Sequence, residues 1–360
     1  MRKQFLLLGL LLLAIPLLTA CGISFNSDGS GKQTEASQGG IFKSLDQGAN
    51  WETKNTVPTS TGTPASISNV NVKRIVMDPQ DHQAVYLATV GTGLLFSYDG
   101  GNNWQVPRNQ PDAMRTVEDV AIDPQHSCTL YAGAGNRIFK SVNCSRTWEE
   151  IYYGTRPTDV ILSLAVDWYE PAIVYAGTSE GNMLQSADGG RSWTAVERPN
   201  NQIKKIMVDP YDSRIVYLVT DKNGIFKTTN KGGTWEQLND QFKDYKGSTD
   251  YRDITFSVAE RNTLYFASRY GLLKSANGGV SWSPITLITD QGSANILALA
   301  VDPTNGRALY YSTENTLYRS LNGGSDWIAQ KLPTTRAATA LAVDFTEPSV
   351  VYMGVTQLAK

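Results

Sequence analysis

An eight-residue phrase ending in tryptophan is written seven times along the chain: SLDQGANW from Ser44, then SYDGGNNW, SVNCSRTW, SADGGRSW, TTNKGGTW, SANGGVSW and SLNGGSDW. The closing residues Trp51, Trp104, Trp148, Trp193, Trp235, Trp282 and Trp327 stand 53, 44, 45, 42, 47 and 45 residues apart. A period of about 45 residues filled with short β-type segments admits few architectures, because one such unit cannot bury its apolar face alone and must stack on copies of itself.

The pieces inside each unit keep their order. An apolar run closes with Asp (IVMDP, VAIDP, LAVDW, IMVDP, LAVDP, LAVDF), a strand carrying VY or LY follows, and a Gly- or Asn-bearing loop leads to a third strand such as RIFKS or GIFKT. The Trp phrase then leads into a fourth. A continuous apolar first strand suits an innermost position covered on both faces. Residues 39–51 supply only a third strand and a Trp phrase, whereas 339–355 supply only a first and a second. Each fragment alone leaves open strand edges, and pairing them completes one blade and closes a ring. The reading is all-β: a seven-bladed β-propeller over residues 39–360, with six whole blades and one composite.

The phrase itself reads as a turn. Its glycine pairs (Gly100–Gly101, Gly189–Gly190, Gly232–Gly233, Gly278–Gly279, Gly323–Gly324) permit positive φ. The acid or amide at its third position accepts the turn's own N–H groups, and Trp covers blade core. That third position is Asp46, Asp99 and Asp188 but Asn143, Asn230, Asn277 and Asn322. Asn keeps the acceptor oxygen and drops the charge, so the position calls for geometry and not for ionisation. The phrase resembles the Asp-box, S-x-D-x-G-x-x-W, of the sialidase and BNR repeat superfamily, and the resemblance covers residues 39–355.

The chain opens with Arg2, Lys3 and a fourteen-residue apolar run, Phe5–Leu18. That is shorter than the roughly 20 residues needed to cross a bilayer, so residues 1–20 read as a signal segment. LTAC at Leu18–Cys21 resembles a bacterial lipobox, which implies lipidation of Cys21; an ordinary signal peptide with a chance cysteine is the alternative. Residues 21–38 are rich in Ser and Gly and read as a tether. Removing residues 1–20 takes away two cations from 32 against 34 acids, leaving 30 − 34 = −4. No basic run or basic total speaks for nucleic acid. The expected location is extracytoplasmic, lipid-anchored to a bacterial membrane.

Cys128 and Cys144 lie eight residues either side of Asn136, the loop of a hairpin in the third blade, and an exported protein favours their pairing as a disulfide; two free thiols are the alternative. His82 and His126 fall in loops between first and second strands and read as surface residues. With two histidines in the chain, no metal site, cofactor or catalytic group is assigned.

In a repeat ring, recognition falls to segments that break the repeat. The Trp turns and Asp-Pro loops share one rim. The irregular segments from Glu52, Gln105, Glu149, Glu236 and Ser283 share the other, together with the residues that open the first strands: Arg74, Asp119, Ser163, Lys205, Asp253, Ala298 and Ala340. Arg74, Arg115, Tyr152, Tyr153, Arg156, Tyr245 and Arg252 are the candidate partner-binding residues. Sialidases of the superfamily use an arginine triad, a Tyr–Glu nucleophile and an Asp acid, but the N-terminal RIP-type motif is absent here. Xyloglucan-cleaving relatives pair two propellers around a cleft. Single exported rings look more like photosystem II assembly and stability factors and, more distantly, sortilin-type propellers, which bind proteins. The resemblance therefore implies a monomeric scaffold for an envelope or membrane protein; the competing reading is a glycoside hydrolase or carbohydrate-binding module whose partner is a glycan.

Overall fold

The computed structural model describes residues 38–60 and 62–358. The signal segment, Cys21 and the tether lie outside the described residues. Seven antiparallel sheets follow one another around an axis. Blade 1 is the composite: Gly40–Ser44 pairs with Val351–Thr356 in a continuous register from Gly40↔Val355 to Ser44↔Val351, flanked by Glu52–Thr53 outside and Ala337–Val343 inside. The ring therefore closes through strand hydrogen bonds between the two ends of the propeller, which leaves no edge there. Blades 3 to 7 each contain four strands, as in blade 4: Ile161–Val166, Val174–Thr178, Met183–Ser186 and Thr194–Glu197.

Blade 2 departs from the expected whole blade. It has three strands, Asn71–Asp78, Asp81–Val90 and Leu94–Ser97, and its fourth is reduced to a single bridge between Phe96 and Gln105. Pro107 and Pro111 lack the N–H groups that would extend it. The long step between the first two Trp residues is filled by a small hairpin, Thr56–Val57 with Ala65–Ser66.

Neighbouring blades interlock where second strands carry glycine. A Cβ on Gly177 would come within 2.3 Å of Ile203 Cγ2, and one on Gly354 within 2.5 Å of Val72 Cγ1, so the next blade's innermost strand nests where a side chain would stand. The Asp that closes each apolar run is buried and organises the next turn. Asp167 Oδ1, for example, accepts the N–H of Tyr169 and Glu170 at 2.9 and 3.0 Å, and Asp344 Oδ1 those of Thr346 and Glu347 at 2.8 and 2.9 Å.

The Trp phrase has a second structural role that joins blades. In every copy its fourth and fifth residues take positive φ. They are Gln47 and Gly48 in blade 1, Cys144 and Ser145 in blade 3, and Lys231 and Gly232 in blade 5. The turn of blade 5 thus uses Lys231–Gly232 and not the expected Gly232–Gly233. This conformation exposes the carbonyl of the fourth residue to the preceding blade. Gly100 O accepts Tyr352 Oη at 3.0 Å and Lys43 Nζ at 2.7 Å. Gly278 O accepts Tyr217 Oη at 2.9 Å and Lys227 Nζ at 2.8 Å, and Gly189 O accepts Tyr131 Oη at 3.2 Å and Lys140 Nζ at 2.7 Å. Tyr175 and Gln185 reach Lys231 O, Tyr98 reaches Cys144 O, and Arg319 reaches Gln47 O. Burial pulls the Lys43, Lys140 and Lys227 ammonium pKa values down and the Tyr131, Tyr217 and Tyr352 phenol values up. The junction from blade 6 to blade 7 differs: Tyr265 donates to Gly306 O, and Lys274 pairs with Glu260.

Within each turn Asn performs as Asp does. Asp188 Oδ1 accepts Ser192 N at 2.9 Å, and Asn143 Oδ1 accepts Thr147 N at 2.9 Å. The Cys128–Cys144 pair forms a disulfide across sixteen residues. It ties the blade 3 turn to its own first loop where Cys144 and Ser145 stand in for glycines.

Candidate functional site

The rim opposite the Trp turns is built from the N-terminal ends of the innermost strands. Five of these strands shift register at the same place: between Val72 and Arg74, Ile161 and Ser163, Ile203 and Lys205, Tyr251 and Asp253, and Ala338 and Ala340. A bulge re-aims the side chain that follows it. Here it turns that residue toward the channel.

Two of the channel acids are held by backbone. Asp119 Oδ1 accepts Val120 N at 3.0 Å, and its Oδ2 reaches across to Leu164 N of the next blade at 3.0 Å. Asp253 repeats this with Ile254 N at 2.9 Å and Leu299 N at 3.0 Å. Ser163 Oγ does the same for Ile206 N at 2.9 Å. The aligned basic residues, Arg74 and Lys205, lie within electrostatic reach of both acids. Burial pulls the Arg74 pKa down, but Tyr251, Asp119 and Asp253 outweigh it and set the guanidinium above its ordinary value. Burial, then Arg74, lowers the Lys205 ammonium, with Asp253 and Asp119 opposing. Burial raises the Tyr251 phenol, whose hydroxyl lies 3.3 Å from Asp253 Oδ1. Arg74, Lys205, Asp119 and Asp253 thus form a belt of ionisable groups across the channel.

The belt separates two unlike vestibules. On the opposite rim a cavity of about 360 Å3 is lined by Lys73, Arg74, Glu118, Leu162, Lys204 and Thr339, with Lys73 paired to Glu118. On the Trp-turn rim a cavity of about 290 Å3 is lined by apolar side chains, including Met77, Ile122, Val166, Trp168, Met207 and Phe256.

A further rim pocket of about 220 Å3 lies between blades 3 and 4 and brings together Tyr152, Arg156, Asp159, Asn182 and Arg198. Asp159 Oδ1 accepts Glu180 N at 2.9 Å and Oδ2 accepts Asn182 Nδ2 at 2.9 Å, while Arg156 pairs with Glu180. Tyr152 packs edge-on against Trp193 with ring centres 5.9 Å apart, and burial, then Asp159, raises its phenol pKa.

The seven candidate residues are therefore scattered around this rim. Arg74 belongs to the channel belt, and Arg252 lies beside it with Nη1 donating to Tyr251 O at 3.0 Å. Arg115 is exposed after the short 3-10 turn Asp112–Met114. Tyr152 and Arg156 share a pocket. Tyr153 points to the other face of its strand, exposed, with the Arg137 guanidinium 4.4 Å from its ring centre. Tyr245 is a packing residue: its ring lies 5.0 Å from that of Tyr270, and its hydroxyl donates to Trp282 O at 3.0 Å. Of the two histidines, His126 is largely exposed next to Asp123. His82 instead is mostly buried, its Nδ1 3.0 Å from Asp344 Oδ2 of blade 1. Among the described residues no group of three or more His, Cys, Asp or Glu side chains is placed to hold a metal ion.

The chain is a seven-bladed propeller of the Asp-box type. Residues 181–271 match the family described as Sortilin, neurotensin receptor 3 (Sortilin-Vps10). A probable oligoxyloglucan-reducing end-specific xyloglucanase of Neosartorya fischeri is 27% identical over 126 residues, 34% of this chain and 15% of that protein. Among solved structures, the GH74 enzyme of Niastella koreensis superposes with a TM-score of 0.63 at 20% identity, covering 87% of this chain and 52% of the enzyme. YCF48 bound to a D1 peptide superposes at 0.61 and 13% identity, covering 84% of this chain and 96% of YCF48. The chain thus spans about half of the GH74 enzyme, a much smaller share of the curated relative, and nearly all of YCF48. At these identities the superpositions speak for the fold.

Proposed function

We propose that this chain is a lipid-anchored, extracytoplasmic protein-interaction scaffold that presents the rim opposite its Trp turns to a segment of an envelope or membrane protein. The observation that carries the reading is the match to nearly the whole of a single-ring propeller whose structure holds a peptide. The chemistry of the rim agrees with it. Asp119 and Asp253, the acids of the channel, have both carboxylate oxygens engaged by backbone N–H groups. Glu118 is paired with Lys73 and Glu180 with Arg156. A glycoside hydrolase needs one carboxyl free to protonate the leaving group and a second to act as base or nucleophile. These acids are structural. The tyrosine and arginine side chains left at the rim suit a protein interface.

The test is crosslinking capture from host membranes by the parent chain, by a Tyr153→Ala/Arg156→Ala variant and by an Arg191→Ala control on the Trp-turn rim. The reading expects one partner that is lost only from the first variant, with melting unchanged in all three. Equal capture by all three contradicts it. The hydrolase alternative has support in the GH74 superposition. It takes over if the purified chain cleaves xyloglucan oligosaccharides or sialosides and loses this activity on Glu118→Gln or Asp253→Asn.

A further inference from the structure

The junction between blades 2 and 3 breaks the repeat in four ways at one place. The third-strand position that supplies a polar donor at other junctions, such as Lys43, Lys140, Gln185 and Lys227, is Phe96. The fourth strand of blade 2 is reduced to one bridge. The turn of blade 3 holds Cys144 and Ser145 at φ of 55° and 65°, and a disulfide fastens it. Left-handed backbone strains a non-glycine residue, and such strain gathers at functional positions.

These departures open a cavity of about 680 Å3 beside the blade 3 Trp turn, where the start of the segment from Gln105, expected on the opposite rim, instead runs along that turn and pairs Asn109 with Thr147. Its volume lies in the range of small-ligand sites. Among the described residues the charged groups in its lining are Arg108 and Arg146, both exposed, and neither forms an ion pair there. Phe96 and Tyr98 form an aromatic wall, their ring centres 5.2 Å apart, and Gln105 and Asn109 add side-chain amides. The walls are fixed before any ligand arrives: Tyr98 Oη donates to Cys144 O at 2.7 Å, and Asn109 bridges to Thr147.

We infer that this cavity is a binding site for an acidic saccharide of the uronic type, its carboxylates held by Arg108 and Arg146 and a sugar face laid on Tyr98. Guanidinium groups grip planar carboxylates bidentately. Side-chain amides and an exposed aromatic ring satisfy hydroxyls and the C–H face of a pyranose. A peptide fits less well, because the strand edge it would extend is already occupied. Leu94 N donates to Gln110 Oε1 at 2.8 Å and Phe96 N to Gln105 O at 3.0 Å. Recognition here runs through side chains.

Titration calorimetry of the full chain with trigalacturonate tests the site, with cellotriose and hexaglutamate as the neutral and the peptide probes. The expected result is saturable trigalacturonate binding that weakens about tenfold in Arg108→Ala and again in Arg146→Ala, falls with added salt, and is absent for cellotriose. Both arginines are exposed and, among the described residues, without ion-pair partners, so the variants should melt like the parent, and lost binding cannot be blamed on unfolding. Absence of trigalacturonate binding, binding unchanged in both variants, or hexaglutamate binding at least as tight would each overturn the assignment.

Discussion

At the Trp-turn rim the same carbonyl is met by a donor from the preceding blade at six of the seven junctions, whether the turn carries Asp or Asn and whether its fourth residue is Gly, Gln, Cys or Lys. At the opposite rim the aligned residues run Arg, Asp, Ser, Lys, Asp, Ala, Ala: Asp119, Ser163 and Asp253 accept a backbone N–H of the next blade, Arg74 and Lys205 set basic groups among them, and the two alanines offer neither. One rim repeats a geometry while its residues drift. The other keeps its strand bulges while its chemistry diverges. Position in the ring therefore separates what holds the propeller together from what is free to be specialised.

Four experiments bear on that separation. Removing residues 339–360 takes away the two inner strands of blade 1, so the rest should lose cooperative thermal unfolding and aggregate through exposed edges; a truncated chain that melts like the parent contradicts closure through blade 1. Tyr217→Ala removes a buried ring and a clasp donor, and should cost about 3–5 kcal/mol in denaturant unfolding. Tyr217→Phe keeps the ring and loses only the bond to Gly278 O, a carbonyl still held by Lys227, and should cost about 1 kcal/mol. A Phe variant as damaging as the Ala one would mean the hydroxyl does far more than the clasp explains.

The smallest effect concerns acid. Hydrogen bonds from Asn50 and Ser44 hold the Asp46 carboxyl at about 2, and bonds from Ser192 and Ser186 push Asp188 lower still. The Asp99 carboxyl also falls below its ordinary value, because bonds from Asn103 and Ser97 outweigh its burial. A folded-state pKa below the unfolded value of about 3.9 gives stability that is complete above that value and lost as pH falls through the folded one. Changing all three to Asn should leave melting near neutrality almost unchanged and flatten its decline between about pH 4 and pH 2. Blades 3, 5, 6 and 7, which already carry Asn, set the precedent.

Much of this frame was legible in the sequence because tryptophan spacing is a ruler that no single blade can blur. The blade number and the composite closure both follow from it. The clasp was harder to read: it joins Tyr217 to Gly278 and Tyr131 to Gly189, residues about 60 apart whose meeting depends on ring curvature. Still, an invariant Tyr in the second strand and a recurrent Lys in the third were visible signals. The reduced fourth strand of blade 2 was signalled by Pro107 and Pro111. Tyr152 and Tyr153 cannot share one patch, because consecutive strand residues face opposite ways, a rule readable from the sequence itself. Tyr245 could not have been placed, because its packing partner Tyr270 comes from another loop.

The most direct measurement of the separation sets Tyr217→Phe, on the clasp, beside Tyr153→Ala/Arg156→Ala, on the opposite rim, and records melting temperature and partner capture for both. The clasp variant should melt at a lower temperature with full capture, and the rim variant should keep its melting temperature and lose capture. Full capture by the rim variant, together with lost capture by the clasp variant well below its melting temperature, would contradict the separation.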